Sequence, residues 1–412
     1  MNYLLFGLFF LLWAMNSYFA FGDFGKYLSL LLGFLMVLYS SIKMKSFRGI
    51  SVFFMASTIL CILYIMQAFY LKQNTLNPGN IIFFIVSYIL LNSGYLIGRG
   101  YKFKYDYLNN RYIYPITILL IVGCIAFLKE QNMLALEKVD SRNIGFGDSV
   151  DTDNYINPIG VAYIHASILI VIYVFYKYYY QKGIIEGLLL IFSGILSLAV
   201  LVSTLSRGAL MYLIIMYLLH FIGRGFNSSL NISKLVKYII GFILIVAIIY
   251  IFVAGMPVIQ EKISNFVIRY ESMYLFFLGS GIDLSAEERS KYYSYFFQNI
   301  MEFMFMGMRE YQPYPHNQYM EIIMRWGLFG MPVLIFSIYV FIKAIKISMY
   351  KKYLNVRKMP LVVLVLYLFL FSYFQSFTSM SLEMNRFMWF GFGFIFGLNI
   401  DNDEYNVIQV KS

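Results

Sequence analysis

Charge is what this sequence has least of. Of its 412 residues only 13% are Asp, Glu, Lys or Arg, whereas 60% are hydrophobic, and the mean hydropathy is +0.70. A soluble domain carries about 25% charged residues. This chain therefore cannot cover its own surface with polar groups, and hydrocarbon must be the solvent for much of it. Cysteine is nearly absent. Cys61 and Cys124 both lie inside apolar runs, which leaves no disulfide framework or cysteine metal centre and makes them packing residues. There are three histidines. A P-loop, a dinucleotide glycine fingerprint, an H-E-x-x-H helix and an Asp-rich cluster are all missing, so the common soluble nucleotide-binding and metallohydrolase classes are excluded. The formal charge is +11, yet no basic stripe with interleaved aromatics stands on a soluble domain, which argues against nucleic acid as a partner.

What the sequence has instead is a succession of long apolar runs. They fall at 3–21, 27–42, 50–70, 80–98, 112–128, 157–176, 184–204, 209–223, 238–255, 319–342, 360–378 and 386–400. At about 20 residues per crossing they predict an all-α, polytopic transmembrane helix bundle of about twelve spans. The first run lacks a basic leader and a small-residue cleavage site, so it reads as a retained span. Lys and Arg concentrate in alternate loops, for example Lys43, Lys45 and Arg48, and later Lys351, Lys352, Arg357 and Lys358. One opposite loop, 129–155, is acidic through Asp140, Asp148, Asp151 and Asp153. By the positive-inside rule both termini are expected in the cytoplasm. Residues 1–412 read as a single membrane domain, with no stretch long enough for a separate soluble one.

One outer connection is unlike the rest. Residues 256–318 form a loop far longer than the usual short link, and it carries Phe266, Tyr270, Tyr274, Tyr292, Phe296 and Phe303. Ser285-Ala-Glu-Glu288 reads as a capping box that opens a helix running to about Met304. The face Tyr292, Tyr293, Phe296, Phe297 and Ile300 is expected to pack this loop down on the membrane domain.

Three polar places stand at that outer side. The first is Ser206-Arg207-Gly208, where the connection between two runs is so short that Arg207 must lie at the membrane boundary. Such an arginine either anchors a helix end by snorkelling or receives an anion on a substrate path. Gly208 would let the chain turn sharply and let a ligand approach the backbone. The second is Arg289 in the first turn of the loop helix, with Arg269 and Arg309 as weaker candidates of the same kind. The third is Pro315-His316-Asn317, followed by Gly327 and Gly330. His165 and His220 lie in spans without charged neighbours and read as structural.

In this order, the residues resemble a known family. His316-Asn-Gln-Tyr-Met-Glu-Ile-Ile-Met-Arg-Trp-Gly327-Leu-Phe-Gly330 is similar to the H-N-x9-G-x2-G signature of the O-antigen polymerase and ligase superfamily. Arg289, or Arg269, resembles that family's loop arginine, and Ser206-Arg207-Gly208 its arginine at the preceding outer junction. The resemblance covers roughly 200–335 by motif and the whole chain by topology. It implies a fold like that of the GT-C membrane glycosyltransferases. It also implies a bacterial inner-membrane enzyme that works without metal or other cofactor on an undecaprenyl-pyrophosphate-linked oligosaccharide, alongside a separate chain-length regulator.

The residue types suit that chemistry. A pyrophosphate leaving group needs its charge stabilised, and planar guanidinium forks fit phosphate oxygens. A sugar hydroxyl needs a base, and an imidazole with an ordinary pKa of about 6.5 is matched to the task. Arg207 and Arg289 are the expected pyrophosphate ligands and His316 the expected base. Asn317, Arg309 and Arg269 complete the expected substrate-binding set. Direct displacement would invert the sugar carbon. Polymerisation of lipid-linked repeats is the first reading, and ligation of the finished glycan to lipid A–core is the second. A lipid-linked-sugar flippase is the alternative of another class. Against it, the charges gather at one face and the long loop has no counterpart in the other half of the chain.

Overall fold

Helices form here because backbone polar groups have no partner in hydrocarbon except each other. The computed structural model describes residues 2–13, 23–43, 51–70, 78–101, 113–130, 158–179, 183–204, 206–225, 284–305, 307, 316–350, 353, 359–378 and 385–398, with isolated positions between 264 and 278. Among these residues there are helices and no strands. In chain order they are α1 (Asn2–Trp13), α2 (Asp23–Lys43), α3 (Ser51–Tyr70), α4 (Pro78–Gly100), α5 (Ile113–Glu130) and α6 (Pro158–Val174), which continues as a π-helical turn, Phe175–Tyr179. There follow α7 (Ile184–Ser203), α8 (Arg207–Gly225), α9 (Leu284–Gln298), α10 (Ile300–Met304), α11 (Gln318–Trp326), a 3-10 turn (Gly327–Gly330), α12 (Met331–Met349), α13 (Pro360–Gln375) and α14 (Arg386–Gly397).

Helices overlie every expected span except 238–255, which lies outside the described residues. Three described stretches are long and apolar enough to cross a membrane: Gly160–Tyr178, Ile184–Leu201 and Gln318–Met349. Shorter apolar helices include Tyr27–Lys43, Val52–Met66, Tyr114–Ile125, Arg207–Leu219 and Pro360–Gln375. The run expected as one span over 319–342 is broken. Gly327 takes a positive φ of 54°, its N–H closes α11 on Ile323 O, and Pro332 restarts the chain as α12.

The centre of the bundle is α13. Leu361 to Phe371 are all buried, as a helix apolar on every side requires. It packs on α14, α6, α8 and α12. The closest helix pair is α4 with α14. Gly94 and Gly98 on one, and Gly393 and Gly397 on the other, bring backbone against backbone: an added Cβ on Gly94 would collide with Phe390, on Gly98 with Phe394, on Gly393 with Leu91 and on Gly397 with Tyr95. Each helix thus offers a small residue every four positions, the spacing that lets membrane helices meet by van der Waals contact alone. At the far end of α14, Lys343 Nζ donates to the carbonyls of Phe396 (3.1 Å) and Leu398 (2.9 Å), a cation placed on orphan helix-terminal acceptors.

His165 is fully buried and reads as a packing residue: its Nδ1 lies 4.0 Å from Cys124 Sγ, which in turn lies 3.8 Å from Ser197 Oγ.

Candidate functional site

Of the polar positions singled out in the sequence, Arg207, Arg289 and His316 with Asn317 lie among the described residues. His316 is the only non-glycine residue with positive φ among those described, at 52°. An L-residue pays for that conformation, and such strain persists where the surroundings over-determine it. The surroundings here are visible. Directly after it, Asn317 is extended and N-caps α11, its side-chain oxygen accepting from Tyr319 N (3.0 Å) and Met320 N (3.2 Å). Then Gln318 N donates to Ser376 O at 2.8 Å. On the other side the ring of Tyr292 packs on the imidazole, with centroids 5.7 Å apart. His316 itself stays half-buried. Asn317 is buried, with its oxygen already engaged in the cap.

Tyr292 belongs to α9, the helix that carries Arg289. The helix begins at Leu284, one residue before the expected capping serine, and it stops short of Met304: Asn299 interrupts it, its side chain donating to Tyr295 O at 2.8 Å. Most of the expected aromatic face is turned inward. Phe296 of α9 and Phe303 of α10 form a buried cluster with Met324 of α11, joined by Tyr295, Ile300, Met320 and Ile323. Phe297 is the exception; it is 62% exposed. Two glycines allow the contact. Gly307 (φ 76°) lies against the backbone of Arg325, and Gly327 lies against the carbonyls of Phe303 and Met304, where an added Cβ would come within 2.5 Å of each. The glycine eleven positions after His316 therefore seats the loop helices as well as ending α11. Gly330 is equally tight against Ile322.

Arg207 is the first residue of α8 and is half-buried. Beside it, Gly208 leaves room for a side chain from α6: a Cβ there would stand 2.7 Å from Tyr163 Oη. The space expected for a ligand at Gly208 is thus taken by a tyrosine hydroxyl. Tyr163 stacks on Tyr212 with centroids 6.4 Å apart, and Tyr212 Oη shares a 2.7 Å hydrogen bond with Thr378 Oγ1. Arg289 is close enough for its charge to act on both phenols. The segments bearing Arg289 and His316 are joined through Tyr292, and Tyr212 stands on the helix that Arg207 begins. Arg269 and Arg309 lie outside the described residues.

Beneath His316, the inward face of α11 is polar. Glu321 is buried and pairs with Arg325 at 2.7 Å, and Arg325 lies 5.5 Å over the ring of Tyr64. Gln318 is fully buried and accepts from Asn385 Nδ2 at 3.4 Å. The pair and the amides hold α11 against α3 and the start of α14.

Residues 192–335 match the family model described as O-antigen ligase. The match makes this segment similar to the O-antigen ligase family. It contains Arg207, Arg289 and His316, and it supports the O-antigen ligase and polymerase superfamily resemblance read from the motifs. Neither the curated proteins nor the solved structures contain a match to the chain. The O-antigen ligase match and the apolar helices together indicate a multi-pass membrane protein with a ligase- or polymerase-type, glycosyltransferase-like activity in polysaccharide processing on lipid-linked substrates.

The sequence reasoning missed Tyr163, Tyr212 and Thr378. Tyr212 stands four positions after Gly208, on the same helix face, which is a usable signal. Tyr163 and Thr378 carry none, because tyrosine and threonine are unremarkable in apolar runs of this composition.

Proposed function

We propose that the chain is an O-antigen polymerase of the bacterial inner membrane, with both termini in the cytoplasm. It joins undecaprenyl-pyrophosphate-linked oligosaccharide repeats at the periplasmic face by inverting glycosyl transfer. The observation that supports it is the meeting, within a segment similar to the O-antigen ligase family, of the Arg207 helix, the Arg289 loop helix and the strained His316 turn.

In this reading Arg207 and Arg289 bind the donor pyrophosphate. As the bond between the sugar carbon and the phosphate oxygen breaks, the electron pair leaves with the pyrophosphate, and guanidinium forks stabilise that growing charge. His316 accepts the proton of the acceptor hydroxyl as its oxygen bonds to the sugar carbon. Asn317 sets the imidazole by capping α11. Arg269 and Arg309, on the same loop, extend the substrate-binding set. The prenyl chain stays in lipid, the fold is of the GT-C kind, and a separate partner regulates chain length.

Transfer of the finished glycan to lipid A–core is the second reading, and the matched family covers both activities. A strain lacking the protein separates the two. Core capped by single repeats supports polymerase. Core without attached repeats, with full polymer still on the lipid carrier, supports ligase. Wild-type surface polysaccharide in that strain would overturn both.

A further inference from the structure

Three consecutive residues at the corner between α13 and α14 each hold a different part of the candidate site. Ser376 O accepts the backbone N–H of Gln318 at 2.8 Å, and Ser376 Oγ donates to Tyr319 Oη at 2.8 Å. These bonds fix the start of α11, two residues after His316. Phe377 O accepts from Tyr293 Oη at 3.2 Å. Tyr293 is four residues after Arg289 and so shares its face of α9. Thr378 Oγ1 bonds to Tyr212 Oη at 2.7 Å, and Tyr212 stands on the first turns of α8, which Arg207 begins. The Phe377 ring also packs on Tyr319, centroids 4.7 Å apart. The corner is itself anchored. Asn385 Nδ2 donates to Ser372 O (3.1 Å) and to Gln318 Oε1 (3.4 Å), while its oxygen caps α14. Below it runs α13, buried throughout from Leu361 to Phe371.

We propose that Ser376-Phe377-Thr378 is a positioning element of the site, a corner to which the segments bearing Arg207, Arg289 and His316 are each separately fastened. Its three adjacent residues reach α11, α9 and α8 in turn, each through its own hydrogen bond. Two of the fasteners are single phenol hydroxyls, so each can be released without changing a helix. The loop helix α9 is fastened to the corner by the Tyr293 hydroxyl. Thr378 and Tyr293 are positioning residues: they touch the helices that carry the reacting groups, and a displacement of roughly 1 Å in such groups costs up to about 100-fold in rate.

The catalytic consequence rests on the glycosyl-transfer reading above, whereas the geometric content does not, and the experiment separates them. Spin labels are placed through Met211→Cys on α8 and Ser290→Cys on α9, both exposed positions, and the label–label distance is measured in full-length protein in lipid nanodiscs. The same preparations are assayed for transfer from an undecaprenyl-pyrophosphate-linked repeat. The expected result is a narrow distribution in the parent and a broad one in Thr378→Val with Tyr293→Phe. Turnover should fall about 10-fold or more at unchanged KM, and Thr378→Ser should keep both parent values. An unchanged distance distribution in the double variant would overturn the positioning element. A broadened distribution with full turnover would overturn the arginine–histidine reading of the site instead.

Discussion

The ring of Tyr292 lies against the imidazole of His316, centroids 5.7 Å apart and planes at 51°. The contact joins α9, inside the long outer loop, to that loop's far end, and it falls on the single strained non-glycine backbone position among the described residues. A histidine held left-handed, followed directly by the Asn317 cap of α11 and covered by an aromatic ring, has little freedom of orientation. That is what a proton acceptor needs, and it is costly for a residue with no task beyond packing.

The strain gives a way to separate backbone from chemistry. Asn tolerates positive φ better than Ala does. His316→Asn should therefore unfold at nearly the parental temperature, while His316→Ala should lose about 1 kcal/mol of stability. Both should lose transfer activity. Thermal unfolding in detergent alongside the transfer assay checks this; His316→Asn with parental activity would remove the imidazole from the mechanism.

The arginines should be intolerant of lysine. Arg207→Lys and Arg289→Lys keep the charge but lose the planar fork, and a charge-assisted hydrogen bond is worth about 1.5–3 kcal/mol. Each substitution should cut transfer by roughly 10- to 100-fold and shorten the surface polymer on gels. Full-length polymer from both variants would mean that the guanidinium geometry is irrelevant.

Gly327 seats the loop helices and turns α11 into α12. Gly327→Ala adds a Cβ 2.5 Å from two carbonyl oxygens at a position of positive φ. The expected cost is about 1–3 kcal/mol. Hydrogen exchange should accelerate across α9 and α10, with α13 unaffected. Protection equal to the parent in α9 would show that the glycine contact does not hold the loop.

Gly208 and Tyr163 should behave as a coupled pair. In Gly208→Ala the new methyl meets the Tyr163 hydroxyl at 2.7 Å, whereas in Tyr163→Phe that oxygen is gone. The double variant should therefore lose less than the sum of the two single losses, with a coupling of roughly 0.5–3 kcal/mol in a stability cycle. Additive effects would show that the glycine serves another neighbour.

Much of the helix framework was legible because hydrocarbon leaves so few choices: an apolar run of about 20 residues reads as a helix, and helices overlie the runs that fall within the described residues. His316 and Arg207 were legible because charged and titratable side chains are so scarce that each one stands out. The corner at Ser376–Thr378 was not. Two of its three fasteners end on backbone carbonyls, which every residue has, so no side-chain pattern announces them. The α4–α14 contact was missed for a similar reason. Gly94, Gly98, Gly393 and Gly397 form paired four-residue spacings, but nothing local says that the first pair meets the second. A break falls at Asn299 in a helix that the apolar pattern carried through, and there both its backbone N–H and its side-chain amide donate to Tyr295 O.

The central claim is that this one site moves a glycan off a lipid diphosphate. Purified protein in nanodiscs, given the lipid-linked repeat, tests it most directly through the undecaprenyl pyrophosphate released per linkage formed. The account predicts one released carrier for each new glycosidic bond with the parent, and neither product with His316→Asn. Bond formation by His316→Asn at the parental rate, or release of carrier without any bond formed by the parent, would contradict it.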